Sequence, residues 1–186
     1  MPGSGRMTLT GQLGDVLRES VQTAVSYVRT YCNRLGLDPE LLDTTDVHIH
    51  FPSAATPKDG PSAGVAIASA LVSLLTARPA RHDIAMTGEM SLLGQVLAVG
   101  GVREKLLAAI RSGIPEVVLP ARNGEECLRL DADIRNKLRI HLIDDVLEAF
   151  ELALLARSQV GRKSIISKIG RRRAAKQART EDGGQR

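Results

Sequence analysis

The sequence predicts an α/β (α+β) fold in which a mixed sheet with a β-hairpin is flanked by helices. Two observations support this class: amphipathic helical segments alternate with short apolar strands, and turn residues separate them. Hydrophobic residues make up 43% of the 186 residues, whereas aromatic residues make up only 2%. Such a composition is typical of a globular chain with an aliphatic core and excludes a membrane-embedded or disordered one.

The predicted elements follow one another without long connections. Their bounds depend on an apolar spacing of about 3.6 residues in helices and two in strands, with Gly and Pro between them. In chain order we expect a strand at 6–10, a helix at 12–35, a strand at 46–51, a loop at 52–61, a helix at 62–77, strands at 83–87 and 95–99, a helix at 102–112, a strand at 116–119, helical segments within 123–137, a strand at 139–143 and a helix at 144–157.

The first helix and the second strand have the clearest patterns. Apolar residues within 12–35 recur at helical spacing and stop at Gly36, a residue type common just beyond a helix. Within 46–51, apolar residues alternate with His48 and His50. A half-buried strand would therefore carry both imidazoles on one face.

The middle of the chain is punctuated by small residues. The loop at 52–61 is rich in Pro and Gly, and the helix at 62–77 is apolar on most sides, so we expect this helix to be central. Strands at 83–87 and 95–99 are separated by the turn-forming segment GEMSLLG, which predicts that they form the hairpin.

The last third of the chain alternates helix and strand. The helix at 102–112 stops at Gly113, and the β-branched strand at 116–119 is closed by Pro120. Asp144 starts the final helix. Alternation of this kind is expected when helices cover a sheet.

Positive charge is concentrated at the C-terminus. Residues 161–186 contain nine Lys or Arg against two acidic residues, whereas the preceding 160 residues contain 16 basic and 19 acidic ones. We therefore divide the chain into a globular domain at 1–157 and a basic, disordered tail at 158–186. Any nucleic-acid partner would be bound only through this tail.

The remaining composition predicts a cytoplasmic protein. The N-terminus lacks the pattern of a signal peptide, and no apolar run is long enough to span a membrane. Cys32 and Cys127 have no metal-ligand spacing and are interpreted as reduced packing residues. No carboxylate or cysteine cluster accompanies His48 and His50, so no metal site is predicted.

Ser62 is a candidate nucleophile because of its position in PKDGPSAG. It follows a small-residue loop and stands at the first turn of a predicted buried helix. Backbone N–H groups and the helix dipole at such a position stabilise negative charge on an attacking oxygen. By position alone, a serine there is more often an ordinary N-cap.

Lys105 is a candidate base for that serine. It lies early in the helix that follows Gly100 and Gly101, where the helix dipole opposes positive charge. This position favours the neutral amine that a general base requires. An ordinary surface lysine is the alternative, and in isolation the more common one.

Taken together, these segments resemble the proteolytic domain of the Lon protease family. Ser62 of the motif PKDGPSAG is followed 43 positions later by Lys105 of GGVREKLLAA. The segments TLTGQLGDVLRES, DVHIHFP, AMTGEMSLLGQVLAVGG and GIPEVVLP also occur in the family's order. The resemblance covers roughly residues 2–157. It implies a serine endopeptidase with a Ser-Lys dyad that hydrolyses unfolded or damaged proteins.

The resemblance also assigns roles to individual residues. Ser62 matches the nucleophile and Lys105 the general base. Thr87 is expected to hydrogen-bond the lysine amine, and Asp59 to shape the catalytic loop. His48 and His50 match a strand that runs near the site. The family usually has GGLKEK where this chain has GGVREK, a change that retains the basic residue before Glu104.

Full-length proteases of this family imply partners that the chain itself lacks. They carry an ATPase module, which uses ATP and magnesium, and they assemble as homohexamers. No cofactor is expected in this chain because G-x-x-x-x-G-K-[ST] is absent from its sequence. A peptide or an unfolded protein is the expected substrate, and no membrane partner is expected.

Two other functions remain open from the residues alone. The motif G-x-S-x-G around Ser62, with Asp131 or Asp133 and then His141, follows the order of a Ser-His-Asp esterase of the α/β-hydrolase type. A ten-residue loop after Phe51 argues against the sharp strand-to-helix turn that this type needs. The second alternative is a non-enzymatic module whose basic tail binds nucleic acid.

Overall fold

A computed structural model describes residues 3–53 and 55–156; the predicted tail at 158–186 lies outside the described residues. Six α-helices and seven strands are assigned within this part of the chain. The strands are β1 (Met7–Thr10), β2 (Val47–His50), β3 (Ile84–Met86), β4 (Glu89–Met90), β5 (Val96–Leu97), β6 (Glu116–Pro120) and β7 (Arg139–Ile143). The helices are α1 (Asp15–Thr30), α2 (Gly64–Thr76), α3 (Val102–Arg111), α4 (Gly124–Leu128), α5 (Ala132–Arg135) and α6 (Val146–Ala153).

The described strands form three small sheets. β1 pairs with β2 in parallel, β6 lies between β3 and β7 in a parallel sheet, and β4 and β5 form an antiparallel hairpin. The α/β class, the hairpin and the flanking helices are thus confirmed.

One pairing predicted from the sequence is wrong. The strand predicted at 83–87 does not form the hairpin with residues 95–99; Ile84–Met86 pairs instead in parallel with β6. The hairpin partner of Val96–Leu97 is Glu89–Met90, which the sequence analysis assigned to the turn. Short apolar strands carry little information about their partners, because pairing depends on packing between distant segments.

Several helices are shorter than their patterns predicted. α1 ends at Thr30, and turns continue to Gly36, which has a φ of 69°. α6 ends at Ala153 because Leu154 is extended and bridges Ala80. The predicted helical region 123–137 is divided into the two short helices α4 and α5.

Two apolar clusters organise the core. The larger one joins α1, α2 and α6, and its central helix α2 buries Val65, Ala68 and Leu71. The smaller one joins α3, β6, α4 and α5 around Leu106 and Leu119. The helix that follows Ser62 therefore belongs to the larger cluster, and the helix that carries Lys105 belongs to the smaller one.

Cys32 and Cys127 are buried and free, as predicted from their spacing. Burial, aided by the negative charge of Glu126, raises the pKa of the Cys127 thiol. Desolvation favours the protonated thiol, which is a poor nucleophile. Both residues therefore act as small apolar side chains in the core.

Candidate active site

Ser62 lies in a 3₁₀ turn, Pro61–Ala63, that leads directly into α2 and that we call the serine turn. Gly60, the residue before this turn, has a φ of 115° and a ψ of 158°, a conformation open almost only to glycine. A Cβ at this position would meet no atom within 4 Å, so the backbone conformation alone requires glycine. Gly60 is therefore what allows the chain to turn abruptly into the serine-bearing segment.

Asp59 fastens this loop to the start of α1. Its Oδ1 atom accepts hydrogen bonds from the backbone N–H groups of Leu17 and Gly60, each at 2.8 Å. Leu17 is the third residue of α1, whose N-cap residue, Gly14, provides no side-chain cap. A carboxylate from a distant loop thus satisfies a helix N–H group that would otherwise lack a partner.

Further bonds hold the same loop against α1. The N–H of Gly14 donates to the Lys58 carbonyl at 2.8 Å, and the Ser20 hydroxyl donates to the Pro61 carbonyl at 3.2 Å. A Cβ on Gly14 would lie 2.3 Å from Asp59 Cγ, so this close approach requires glycine. The loop before Ser62 is consequently fixed at several points.

The carbonyl of Ser62 is held by two neighbouring residues. It accepts a hydrogen bond from the Thr87 hydroxyl at 3.1 Å and one from the Gly88 N–H at 2.9 Å. The Gly88 carbonyl in turn accepts from the N–H of Val65, and the N–H of Thr87 donates to the carbonyl of Val118 in β6. Buried Thr87 thus connects the serine turn to the parallel sheet.

Lys105 lies in the first turn of α3 and is half-buried. Its amine donates a hydrogen bond to the backbone carbonyl of Gly100. Within residues 3–53 and 55–156, Lys105 forms no ion pair with a carboxylate. Neither Ser62 nor Thr87 is bonded to the lysine amine in the part of the chain that the structure describes.

His48 and His50 lie on β2 and share one partner. The Thr10 hydroxyl on β1 is 2.9 Å from His48 Nε2 and 2.7 Å from His50 Nδ1. Among the described residues, no group of three or more His, Cys, Asp or Glu side chains is arranged to hold a metal ion. Both imidazoles are exposed, on the strand that leads into the loop before Ser62.

The geometry does not favour an α/β-hydrolase site. The last strand before Ser62 is β2, which ends at His50, so no strand runs directly into the serine turn in the described loop. His141 is bonded through Nε2 to Glu116 at 2.7 Å, and Asp131 pairs with Arg103. His141 and Asp131, two of the expected triad partners, are therefore engaged elsewhere.

One residue of this region was missed by the sequence analysis. Asn123 follows β6 and is buried. Its side chain bonds both the backbone N–H and the backbone carbonyl of Val99, which lies just before the helix of Lys105. Its only signal in the sequence is its position soon after the end of a β-branched strand. Its partner lies 24 residues away, so no local pattern reveals the contact.

None of the helices in the described part of the chain is long and apolar enough to cross a membrane. A small cavity between β1, α1 and α2, lined in part by Met7, Val28 and Leu71, includes neither Ser62 nor Lys105. The residues predicted to carry the chemistry instead lie at the starts of α2 and α3 and after β3.

Comparison with known proteins agrees with the motifs. The family model of the Lon protease (S16) C-terminal proteolytic domain matches residues 1–156. The chain is 50% identical over 159 residues to Lon protease 2 of Desulfotalea psychrophila, 51% over 156 residues to Lon protease of Aquifex aeolicus and 54% over 151 residues to Lon protease of Methylocella silvestris. These alignments cover 86%, 83% and 80% of this chain.

The chain spans about a fifth of the length of these relatives, at 20%, 20% and 19%. The match therefore concerns their proteolytic part alone. Because the family model covers every described residue and the identities are near one half, the chain belongs to the family of Lon protease C-terminal proteolytic domains, which are serine-type proteases.

Proposed function

We propose that this chain hydrolyses peptide bonds with Ser62 as the nucleophile and Lys105 as the general base. The observation that carries the proposal is the environment of Lys105. Lys105 as a whole is half-buried, and its amine donates a hydrogen bond to the neutral carbonyl of Gly100 and pairs with no carboxylate among the described residues. A lysine amine that forms no ion pair can act as a base without first breaking a salt bridge.

A neutral amine in this position suits proton transfer. It can donate one N–H to the Gly100 carbonyl and keep its lone pair free for the Ser62 proton. Since neither group is bonded to the other at rest, a side-chain movement of Lys105 is part of the proposed cycle.

The reaction would run in two stages. As the Ser62 oxygen bonds to the peptide carbonyl carbon, its proton moves to the amine of Lys105. The tetrahedral intermediate then expels the peptide amine, which takes that proton and leaves an ester on Ser62. A water molecule next gives a proton to Lys105 while its oxygen attacks the ester. The carboxylic product leaves, and the proton returns to the Ser62 oxygen.

The oxyanion would be stabilised by the backbone N–H group of Ser62. Among its neighbours, Gly60 donates its N–H to Asp59, and Pro61 has no N–H. The first N–H groups of a helical turn have no partner inside the turn. The Ser62 N–H is therefore available to the developing negative charge.

Unfolded or damaged proteins and short peptides are the proposed substrates. We infer that ATP and magnesium act on an ATPase module of the kind found in full-length Lon proteases, so peptide hydrolysis by this chain alone needs neither. A homohexamer and a cytoplasmic location complete the proposal. The basic tail at 158–186 is proposed to be dispensable for turnover, and any contact with nucleic acid would be made there.

A fluorogenic peptide assay tests the proposed dyad. Ser62→Ala and Lys105→Ala should each abolish turnover, whereas a variant truncated after residue 160 should retain it. His141→Ala, checked for folding by circular dichroism, distinguishes the dyad from a triad. Full activity of Lys105→Ala, or loss of activity in His141→Ala alone, would contradict the proposal. ATP-stimulated degradation of a folded protein by this chain would contradict the proposal that only the ATPase module uses ATP.

A further inference from the structure

Asn123 occupies a position in the fold where a polar side chain can act on the site. It ends the 3₁₀ turn Ala121–Asn123, which follows the carboxyl end of β6. Thr87 follows the carboxyl end of the neighbouring parallel strand, β3. The carboxyl ends of parallel strands are where α/β proteins usually bind their ligands. Asn123 is only 6% exposed, so its amide must find its partners inside the protein.

Those partners are two backbone groups of one residue and one carboxylate. Asn123 Oδ1 accepts from the N–H of Val99 at 3.0 Å, and Nδ2 donates to the Val99 carbonyl at 2.9 Å. Nδ2 also donates to Glu126 Oε2 at 3.1 Å. All three contacts require the same orientation of the amide, with its oxygen toward the Val99 N–H. The side chain therefore bonds Val99 as a neighbouring strand would.

Val99 is adjacent to the carbonyl that holds the proposed base. The Gly100 carbonyl accepts a hydrogen bond from the amine of Lys105, and the Gly101 carbonyl accepts one from the backbone N–H of Lys105 at 3.1 Å. Gly101, with a φ of 67°, forms the left-handed turn that starts α3. Residues 98–101 belong to no strand or helix, so their backbone is not held by a regular ladder of hydrogen bonds. The bonds from Asn123 anchor this segment from outside it.

We propose that Asn123 is a positioning residue for the general base: by clamping Val99 it orients the Gly100 carbonyl and, through it, the amine of Lys105. This inference rests on the proposed function of Lys105. Asn123 itself does not touch the reacting atoms. A displacement of about 1 Å in a catalytic group can lower a rate by roughly 100-fold, so a backbone clamp next to that group can control turnover.

Two substitutions at position 123 test the clamp in the full chain. Asn123→Ala removes all three bonds, and kcat for a fluorogenic peptide should fall about 10- to 100-fold with KM within about twofold of the original. Asn123→Asp keeps an acceptor for the Val99 N–H, but it can donate to the Val99 carbonyl only when the introduced carboxyl is protonated. Burial and Glu126 both favour that protonation. The ratio of its kcat to that of the unsubstituted chain should therefore rise several-fold between about pH 8 and pH 6.

A matched control separates positioning from stability. Val28 is fully buried in the larger core cluster, on α1, and its backbone and side chain take no part in the bonds of Val99. Val28→Ala should lower the unfolding temperature to an extent similar to Asn123→Ala, yet leave kcat per folded molecule unchanged. The folded fraction is measured by circular dichroism before each assay.

The outcomes distinguish this inference from the proposed function. If Ser62→Ala or Lys105→Ala retains full turnover, the proposed function fails. If both are inactive but Asn123→Ala keeps kcat within about twofold, or changes only KM, Asn123 is a structural residue and the inference is overturned. A flat pH ratio for Asn123→Asp would also overturn it, because the clamp depends on the donor that protonation restores.

Discussion

The Thr87 hydroxyl donates a hydrogen bond to the backbone carbonyl of Ser62 at 3.1 Å, from the residue that directly follows β3. The resemblance to the Lon family implies that Thr87 bonds the amine of Lys105, and that role stays a prediction. The observed contact connects the sheet to the serine turn and directs Thr87 toward the proposed nucleophile.

Removing the Thr87 hydroxyl should impair turnover more than stability. Thr87→Val keeps the shape of this buried side chain, and the Ser62 carbonyl still accepts a hydrogen bond from Gly88. The free energy of unfolding should therefore fall by only about 1 kcal/mol. We expect kcat to fall roughly tenfold because the serine turn loses a contact. Chemical denaturation and peptide assays measure the two effects. Thr87→Ser, which restores the hydroxyl, should recover most activity; equal activity of the Val and Ser variants would contradict this role.

Asp59 should stabilise α1 as well as the loop before Ser62. Asp59→Ala removes the acceptor for the N–H groups of Leu17 and Gly60, and the lost cap should reduce the free energy of unfolding by about 1 kcal/mol. Asp59→Asn keeps an acceptor oxygen and should lose less. Urea unfolding measures both variants. If the two are equally destabilised, the negative charge, rather than the cap geometry, is the important property.

Gly60→Ala should be costly although the position is surrounded by open space. Its backbone conformation is available almost only to glycine, and the strain should cost about 1–3 kcal/mol or force the serine turn to change shape. Gly36→Ala is the matched control, because Gly36 also has a positive φ and no atom within 4 Å of a Cβ. Both variants should be less stable, but only Gly60→Ala should lose peptidase activity per folded molecule. Equal activity losses would show that the effect is general destabilisation.

Acid should weaken the fold through Glu116. The Arg81 guanidinium, with a further contribution from His141, holds the pKa of Glu116 below its usual range, and Arg81 does the same to Asp83. Groups with lowered pKa values in the folded state stabilise it fully above their unfolded pKa values, about 4.3 for Glu and 3.9 for Asp. That contribution is lost as the pH falls further, through the lowered folded values.

Glu116→Gln should therefore flatten the fall of unfolding temperature below about pH 4.5. Thermal melts followed by circular dichroism between about pH 7 and pH 3 measure this. Glu125→Gln is the control, because Glu125 is an acidic residue in a highly exposed ion pair with Arg129 and should leave the curve unchanged. Parallel curves for the Glu116 variant and the unsubstituted chain would contradict the prediction.

The cysteines should react only when the fold opens. Cys32 and Cys127 are buried, and the pKa of Cys127 is raised by burial. Native protein at neutral pH should therefore react slowly with a thiol reagent, and the rate should rise with urea as the core unfolds. Mass spectrometry, which counts the modified thiols per chain, follows the reaction over time. Fast modification in buffer alone would mean that one thiol is accessible in solution.

The sequence was sufficient for features that depend on neighbouring residues. The helix after Ser62, the helical start at Lys105 and the alternating strand of His48 and His50 follow local periodicity, because backbone geometry sets the spacing of buried positions. Gly60 is similarly local, since it supplies a conformation that the turn before Ser62 needs. The family motifs are likewise local, and the family model that matches residues 1–156 agrees with them.

Pairings between distant segments were decided only by the tertiary structure. Ile84–Met86 lies beside β6 instead of forming the hairpin, because the choice between short strands depends on which surfaces the whole chain can bury. Asn123 reaches Val99, and Asp59 reaches Leu17 across 42 positions, for the same reason. The bonds of buried Asn123 form where packing has already excluded water and unpaired backbone groups would be costly. The sequence alone predicted which residues carry the chemistry, whereas the packed fold determined which groups contact those residues.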